Sequence, residues 1–157
     1  MLVLIDDPLA PDVTALLDEH LADMHSTSPP ESVHALAHVA LAAADVTFVT
    51  AREDGALLGC GALKQLDAEH GEVKSMRTTH AARGRGVAGA ILGWLLDEAR
   101  SRGMTRVSLE TGTQDYFAAA HRLYLRHGFT DCGPFGDYAL DPHSRYMTIA
   151  LDRPALG

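Results

Sequence analysis

The sequence predicts a mixed α/β (α+β) fold: one sheet of six to seven strands with about four helices on both faces. Three observations predict it. The 157 residues are 46% hydrophobic, which suits a single domain around one core. Apolar residues switch between period 2 and period 3.6 along the chain, in the order βααβββαβαββ. The early strands follow one another through tight turns, which predicts antiparallel pairing, while the later ones are separated by helices. No internal repeat, low-complexity tract or linker interrupts the chain, so residues 1–157 read as one domain.

Taken in order, Leu2 to Ile5 is a short first strand. From Asp12 to His25, Val13, Leu16, Leu17, Leu21 and Met24 form the stripe of an amphipathic helix. Ser28-Pro-Pro-Glu31 is a capping box with proline at the first helical position. It opens a second helix carrying Val33, Leu36, Ala40 and Leu41 on one face. Val46 to Arg52 and Ala56 to Leu66 form a hairpin that turns at Glu53-Asp54-Gly55, and Glu72 to Thr78 is a further strand. Gly86 to Arg102 is a helix with Val87, Ala90, Ile91, Trp94 and Leu95 inward, and Gly103 ends it. Thr105 to Glu110 is a strand, Tyr116 to His127 a helix ended by Gly128, and Phe129 to Cys132 and Arg145 to Leu151 are the last two strands.

The net charge of −8 argues against a general nucleic-acid binder, which needs a basic face. Its distribution says more. From Lys74 to Arg106, seven bases face two acids, a local +5 that leaves −13 elsewhere. Arg100 and Arg102 suit a helix C-terminus; Arg77, Arg83 and Arg85 suggest a local anion site. The opening Met-Leu-Val-Leu-Ile-Asp-Asp lacks the basic head and long apolar centre of a signal peptide, and no stretch is apolar enough to span a bilayer, so a cytoplasmic location and no membrane contact are expected. Two cysteines make neither a disulfide framework nor a four-cysteine zinc site, and Cys60, in an apolar run, reads as core filler.

Gly84, Gly86 and Gly89 spell G-x-G-x-x-G, and Glu110 lies about twenty residues on, as in a dinucleotide-binding unit. Context opposes that reading. Several polar residues separate Met76 from the first glycine, and only 47 residues follow Glu110. The alternative keeps the glycines and changes the ligand. Unpaired amides at the start of the Gly86 helix form an anion cradle, glycines let the backbone approach a phosphate, and Arg83 and Arg85 supply charge. A pyrophosphate-bearing ligand is expected.

Arg83-x-x-Gly86-x-Ala88, between a strand and a helix, resembles the acetyl-CoA signature of the GNAT superfamily of N-acetyltransferases. Downstream, Ala120-His-Arg-Leu123-Tyr124-Leu-Arg-His-Gly128-Phe129 resembles that family's second signature, A-x-x-L-Y-x-x-x-G-F. Lys74-Ser-Met-Arg77-Thr, Leu109-Glu-Thr-Gly112 and Phe135-Gly-Asp-Tyr138 are similar to a bacterial subgroup of small GNAT proteins. The resemblance implies a GNAT fold, splayed between the strands at 72–78 and 105–110. It implies acetyl-CoA as cosubstrate, held by Met76, Arg77, Thr78, Arg83, Gly84, Arg85, Gly86, Val87, Ala88 and Gly89, with its pantetheine arm along the strand ending at Thr78. One position departs from the pattern: Phe117 stands where many members have an asparagine that helps hold the cofactor.

Acetyl transfer from a thioester to an amine needs a held donor, a neutral amine, a stabilised oxyanion and a proton for the thiolate. A backbone amide near Met76 is the oxyanion donor the resemblance implies. Tyr124, matched to the signature tyrosine, is the candidate general acid; its other reading is a core aromatic. A phenol near ~10 protonating a thiolate near ~8.5 is uphill by only about 2 kcal/mol. Glu72 and Glu110 are the candidate bases for a substrate ammonium near ~10. Glu110 could instead bind a cationic substrate, Glu72 could be a solvated strand residue, and free dissociation of the amine could suffice.

The family topology places His25, Ser28, Glu31, Asp137 and Tyr138 near the acceptor, a small-molecule or protein amine; the acidic chain mildly favours a cationic one. The protein is expected to be a monomer or homodimer. His34 and His38 have a ligand-pair spacing without an H-E-x-x-H motif or third ligand, so no metal is expected. An idle acyl-CoA-binding module and a dinucleotide-binding protein are the competing readings.

Overall fold

A computed structural model describes residues 1–24 and 38–151. The chain runs β1 (Leu2–Ile5), α1 (Pro11–Met24), β2 (Val46–Glu53), β3 (Ala56–Gln65), β4 (His70–Thr78), α2 (Val87–Ser101), β5 (Arg106–Gly112), α3 (Ala118–Arg126), β6 (Thr130–Cys132) and β7 (Ser144–Ala150). Residues 38–41 are also helical, within the second helix expected from the sequence. Its capping box at Ser28 to Glu31 lies outside the described residues, as do His25 and His34.

The seven strands form one mixed sheet in the order β1-β2-β3-β4-β5-β7-β6. Only β4 and β5 are parallel; the other neighbours are antiparallel. A dinucleotide-binding unit is built on a mostly parallel sheet. The dehydrogenase reading of the three glycines therefore lacks its fold.

Strand alternation sends side chains to two faces. Toward α1, Cys60, Ala62 and Phe48 pack with Val13, Leu16, Leu17 and Leu41. The Cys60 thiol is fully buried, donates to the Ser75 carbonyl at 3.4 Å, and is pushed up to about 12 by burial. It is an inert part of the packing. On the other face, α2 covers Leu63, Val73, Val107 and Leu109, and Tyr124 and Phe129 join the same core. The buried face of α2 is Val87, Ile91, Leu92, Leu95, Leu96 and Ala99, whereas Ala90 and Trp94 are half-buried. The stripe read from the sequence is thus rotated, away from Ala90 and Trp94 and toward Leu92, Leu96 and Ala99. Each fully buried Ile or Leu here contributes about 1.5–3 kcal/mol.

Two local features open the sheet. The β4–β5 ladder runs from His70↔Arg106 to Val73↔Leu109 and stops. Beyond it β4 follows β3 to Thr78, while β5 follows β7 to Gly112, two residues past the expected end, because Gly112 pairs with Ser144. The cause lies in β4. Its ladder to β3 passes from Ala62↔Lys74 to Cys60↔Arg77, leaving both Ser75 and Met76 against Gly61. Ser75 takes φ 57°. Such a bulge bends a strand and raises its twist, here turning β4 away from β5.

At the far edge, Arg52 joins three elements. Its guanidinium donates to Asp6 Oδ2 (2.9 Å) and Asp12 Oδ2 (2.7 Å), and Thr50 Oγ1 donates to Asp6 Oδ2 (2.6 Å).

Candidate active site

Two cavities meet at the splay. The first, about 500 Å³, lies beside the N-terminus of α2. Gly84 (φ 79°) and Gly86 (φ 80°) adopt left-handed conformations that L side chains disfavour. A Cβ at either would meet nothing within 4 Å, so backbone shape rather than crowding asks for glycine. Gly86 is the N-cap of α2 and offers no side-chain cap; the first helical bond runs from the Ala90 N–H to the Gly86 carbonyl at 3.1 Å. The amides of Val87, Ala88 and Gly89 are left without helical acceptors, the arrangement that receives an anion.

These residues line the first cavity together with Met76, Arg77, Thr78, Arg83 and Gly84. The Arg77 guanidinium is turned away to α1, donating to Glu19 Oε1 at 2.8 Å. Arg85 is absent from the lining and pairs with Glu53 at the β2–β3 turn. Its place is taken by two residues that sequence reasoning missed, the exposed Arg122 and Arg126 of α3. Their i, i+4 spacing within the second signature was the available signal. Three arginines and an uncapped helix start fit a ligand bearing several phosphates.

The second cavity, about 320 Å³, opens on the α1 face, and Glu72, Lys74, Glu110, Tyr138, Lys64 and Tyr124 are among its lining. Met76, Phe117, Ala120 and Tyr124 line both cavities, so the two meet there. The register explains the polar wall. Lys64 lies opposite Glu72 and Ala62 opposite Lys74, so Lys64, Glu72 and Lys74 share one face.

Glu72 is 4% exposed, so it is no solvated strand residue. The Tyr138 hydroxyl donates to its Oε2 at 2.6 Å, and Lys74 Nζ stands 3.9 Å from Oε1. Burial, then the Glu72 carboxylate, raises the Tyr138 phenol well above its ordinary value. Glu110 is also raised, chiefly by burial, with Glu72 and Asp141 adding to it and Ser144 and Lys74 opposing it. Tyr124 is 6% exposed, and burial pushes it up to about 12.

An aromatic cluster fixes Tyr138. Phe135 lies 5.1 Å from Tyr138, 6.1 Å from Tyr146 and 5.7 Å from His70 between ring centroids, and the Tyr146 hydroxyl donates to the Ala139 carbonyl at 2.8 Å. Sequence reasoning named Tyr138 but not these supports. Asp137 is exposed and outside the cavity lining. His25, Ser28 and Glu31 lie outside the described residues.

Phe117 packs on bare backbone: a Cβ built on Gly112 would lie 2.3 Å from Phe117 Cε2. Among the described residues no group of three side chains is placed to hold a metal, and His38 Nε2 lies 3.0 Å from Asp18 Oδ1. No helix among the described residues is long and apolar enough to cross a membrane.

A family model described as the acetyltransferase (GNAT) family matches residues 13–129. The uncharacterized N-acetyltransferase YedL of Escherichia coli (strain K12) is 52% identical over 146 residues, 93% of this chain and 92% of that protein. The uncharacterized N-acetyltransferase YsnE of Bacillus subtilis (strain 168) is 47% identical over 151 residues, 96% of this chain and 100% of that protein. Among solved structures, yncA from Salmonella typhimurium, with its cofactor acetyl-CoA, matches with a TM-score of 0.73 at 18% identity, over 100% of this chain and 97% of that one. That likeness shows a shared fold.

Proposed function

The chain belongs to the acetyltransferase (GNAT) family, and we propose that it moves an acetyl group from acetyl-CoA to a primary amine by direct attack on the thioester. The observation that carries this reading is the meeting of two unlike cavities. One has an amide and arginine lining for phosphates; the other has a carboxylate and lysine lining for a small polar acceptor.

Acetyl-CoA supplies the activated acyl group. Arg83, Arg122, Arg126 and the amides of Val87 to Gly89 would hold its phosphates, with Gly84 and Gly86 clearing the approach. Met76, Arg77 and Thr78 would flank the pantetheine arm, and the backbone at the Ser75–Met76 bulge is our candidate hydrogen-bond donor to the thioester oxygen. Arg85, tied to Glu53, would act only on the field at the rim.

Glu110 is the better base of the two glutamates. Its raised affinity for protons suits a base, whereas Glu72 is already engaged by Tyr138 and Lys74. Tyr124, lining both cavities, would be the acid. A phenol at about 12 keeps its proton across the physiological range. Passing it to a thiolate near ~8.5 costs about 5 kcal/mol, inside the roughly 16 kcal/mol barrier of a turnover near ~10 per second. In the balance, the ammonium gives one proton to Glu110. The nitrogen then bonds the acetyl carbon as the C–S bond breaks. Tyr124 gives its proton to the departing sulfur, the second N–H proton passes through solvent to restore the Tyr124 phenol, and Glu110 releases its proton to solvent, so one proton is released in all.

Free-thiol release from acetyl-CoA across a panel of amines tests this reading. Amine-dependent release is expected. Binding of acetyl-CoA with no release above hydrolysis for any amine overturns it in favour of an idle acyl-CoA-binding module.

A further inference from the structure

The acceptor cavity carries charge of both signs, and the strands sort it. Lys64 and Lys74 enter from β3 and β4, while Glu110 enters from β5 across the splay. Glu72 sits between the lysines, opposite Lys64 and two residues before Lys74, with Oε2 bonded by Tyr138 and Oε1 3.9 Å from Lys74 Nζ. Lys64 is half-buried and is ion-paired with no carboxylate among the described residues. Two lysines against the single carboxylate of Glu72 leave this wall with a net positive charge, which favours an anionic ligand group. Glu110 is the remaining carboxylate of the lining, on the opposite wall. Leu17, Leu41 and Val46 line the same cavity and offer an apolar surface.

Resting on the acetyl-transfer reading, we infer that the acceptor is an amino acid with an apolar side chain, its carboxylate held by Lys64 and Lys74 and its amine directed to Glu110. A cavity of about 320 Å³ suits a ligand of that size. A polyamine or aminoglycoside would set several ammonium groups against the two lysines, an arrangement that like charges penalise. The net −8 of the chain favours cations in general; the lining of this cavity does not. The transfer step is the one balanced above, giving the N-acetyl amino acid, free CoA thiol and one proton.

The test is calorimetry on the CoA-saturated full chain with three sets of probes: leucine, methionine and phenylalanine; their decarboxylated amines; and their deaminated acids. We expect at least one amino acid to bind tenfold or more tightly than its own amine and its own acid. Lys64→Met should remove that tenfold advantage with CoA affinity unchanged, and Lys64→Arg should retain most of it. Amines that bind as well as their parent amino acids overturn the inference, as does the absence of binding by every amino acid at millimolar concentration. So does a Lys64→Met variant, intact by CoA binding, that keeps the preference. Thiol release is read in parallel. If amino acids bind with the predicted preference but release no CoA thiol, the transfer reading fails and the ligand class stands; if amines turn over and amino acids do not bind, the reverse holds.

Discussion

The Tyr138 hydroxyl donates a 2.6 Å hydrogen bond to Glu72 Oε2, joining residues 66 positions apart. Tyr138 comes from the connection between β6 and β7, held by Phe135, Tyr146 and His70. Glu72 lies one residue before the last β4–β5 pair. The bond thus fastens that connection to the origin of the splay.

Tyr138→Phe leaves a buried carboxylate oxygen without its donor, which costs about 1–3 kcal/mol. We expect that loss in urea denaturation, with kcat/KM for the acceptor about tenfold lower and acetyl-CoA affinity unchanged. Stability and kinetics both equal to the parent would show that the bond matters to neither.

Tyr124→Phe tests the acid. General acid catalysis contributes ~10²–10⁴-fold, so single-turnover rates should fall at least ~100-fold while acetyl-CoA binding holds. Unchanged single-turnover rates would return Tyr124 to the role of a core aromatic.

Glu110 works as a base only when ionised, and burial first of all raises its proton affinity. The acidic limb of kcat/KM should therefore lie above the ~4.3 of an ordinary glutamate, with activity rising as pH passes upward through it. Glu110→Gln should lower the rate and remove that limb. A limb that survives in the variant belongs to another group.

Gly112→Ala should drive a methyl into the Phe117 ring, at a cost of about 1–3 kcal/mol. Phe117→Ala in the same chain should recover most of it. Additive losses in the double variant would separate the two residues energetically.

Asp6 is held below the ordinary carboxylate range. Burial pushes it up, but hydrogen bonds from Thr50, the Asp7 amide and Arg52 outweigh that. A depressed folded value means the contribution is present above the unfolded ~3.9 and is lost as pH falls through the folded value. Asp6→Asn should thus cost about 1–3 kcal/mol at pH 7 and progressively less below pH ~4. A difference independent of pH would contradict this assignment.

The order of elements was legible because it rests on local pattern: the Glu53-Asp54-Gly55 turn, the stripe of α1 and the glycine-started α2 all carry their signals within a few residues. The Ser75–Met76 bulge was not, since a serine at φ 57° leaves no turn signature in sequence. Nor was the bend in chemistry between Arg85 and Arg122: Arg85 is adjacent to the glycines, yet Glu53 draws it away, and the charge at the cavity comes from another helix. Glu72 could be named but not described, because its burial and its Tyr138 partner depend on contacts across the whole second half of the chain.

Everything proposed for this protein requires a coenzyme seated where β4 turns into α2. Titration calorimetry of acetyl-CoA against the parent chain and Arg83→Ala measures that directly. Saturable binding is expected, weakening about tenfold on loss of Arg83. No heat of binding at millimolar acetyl-CoA, or an affinity indifferent to Arg83, Arg122 and Arg126 removed together, would contradict it.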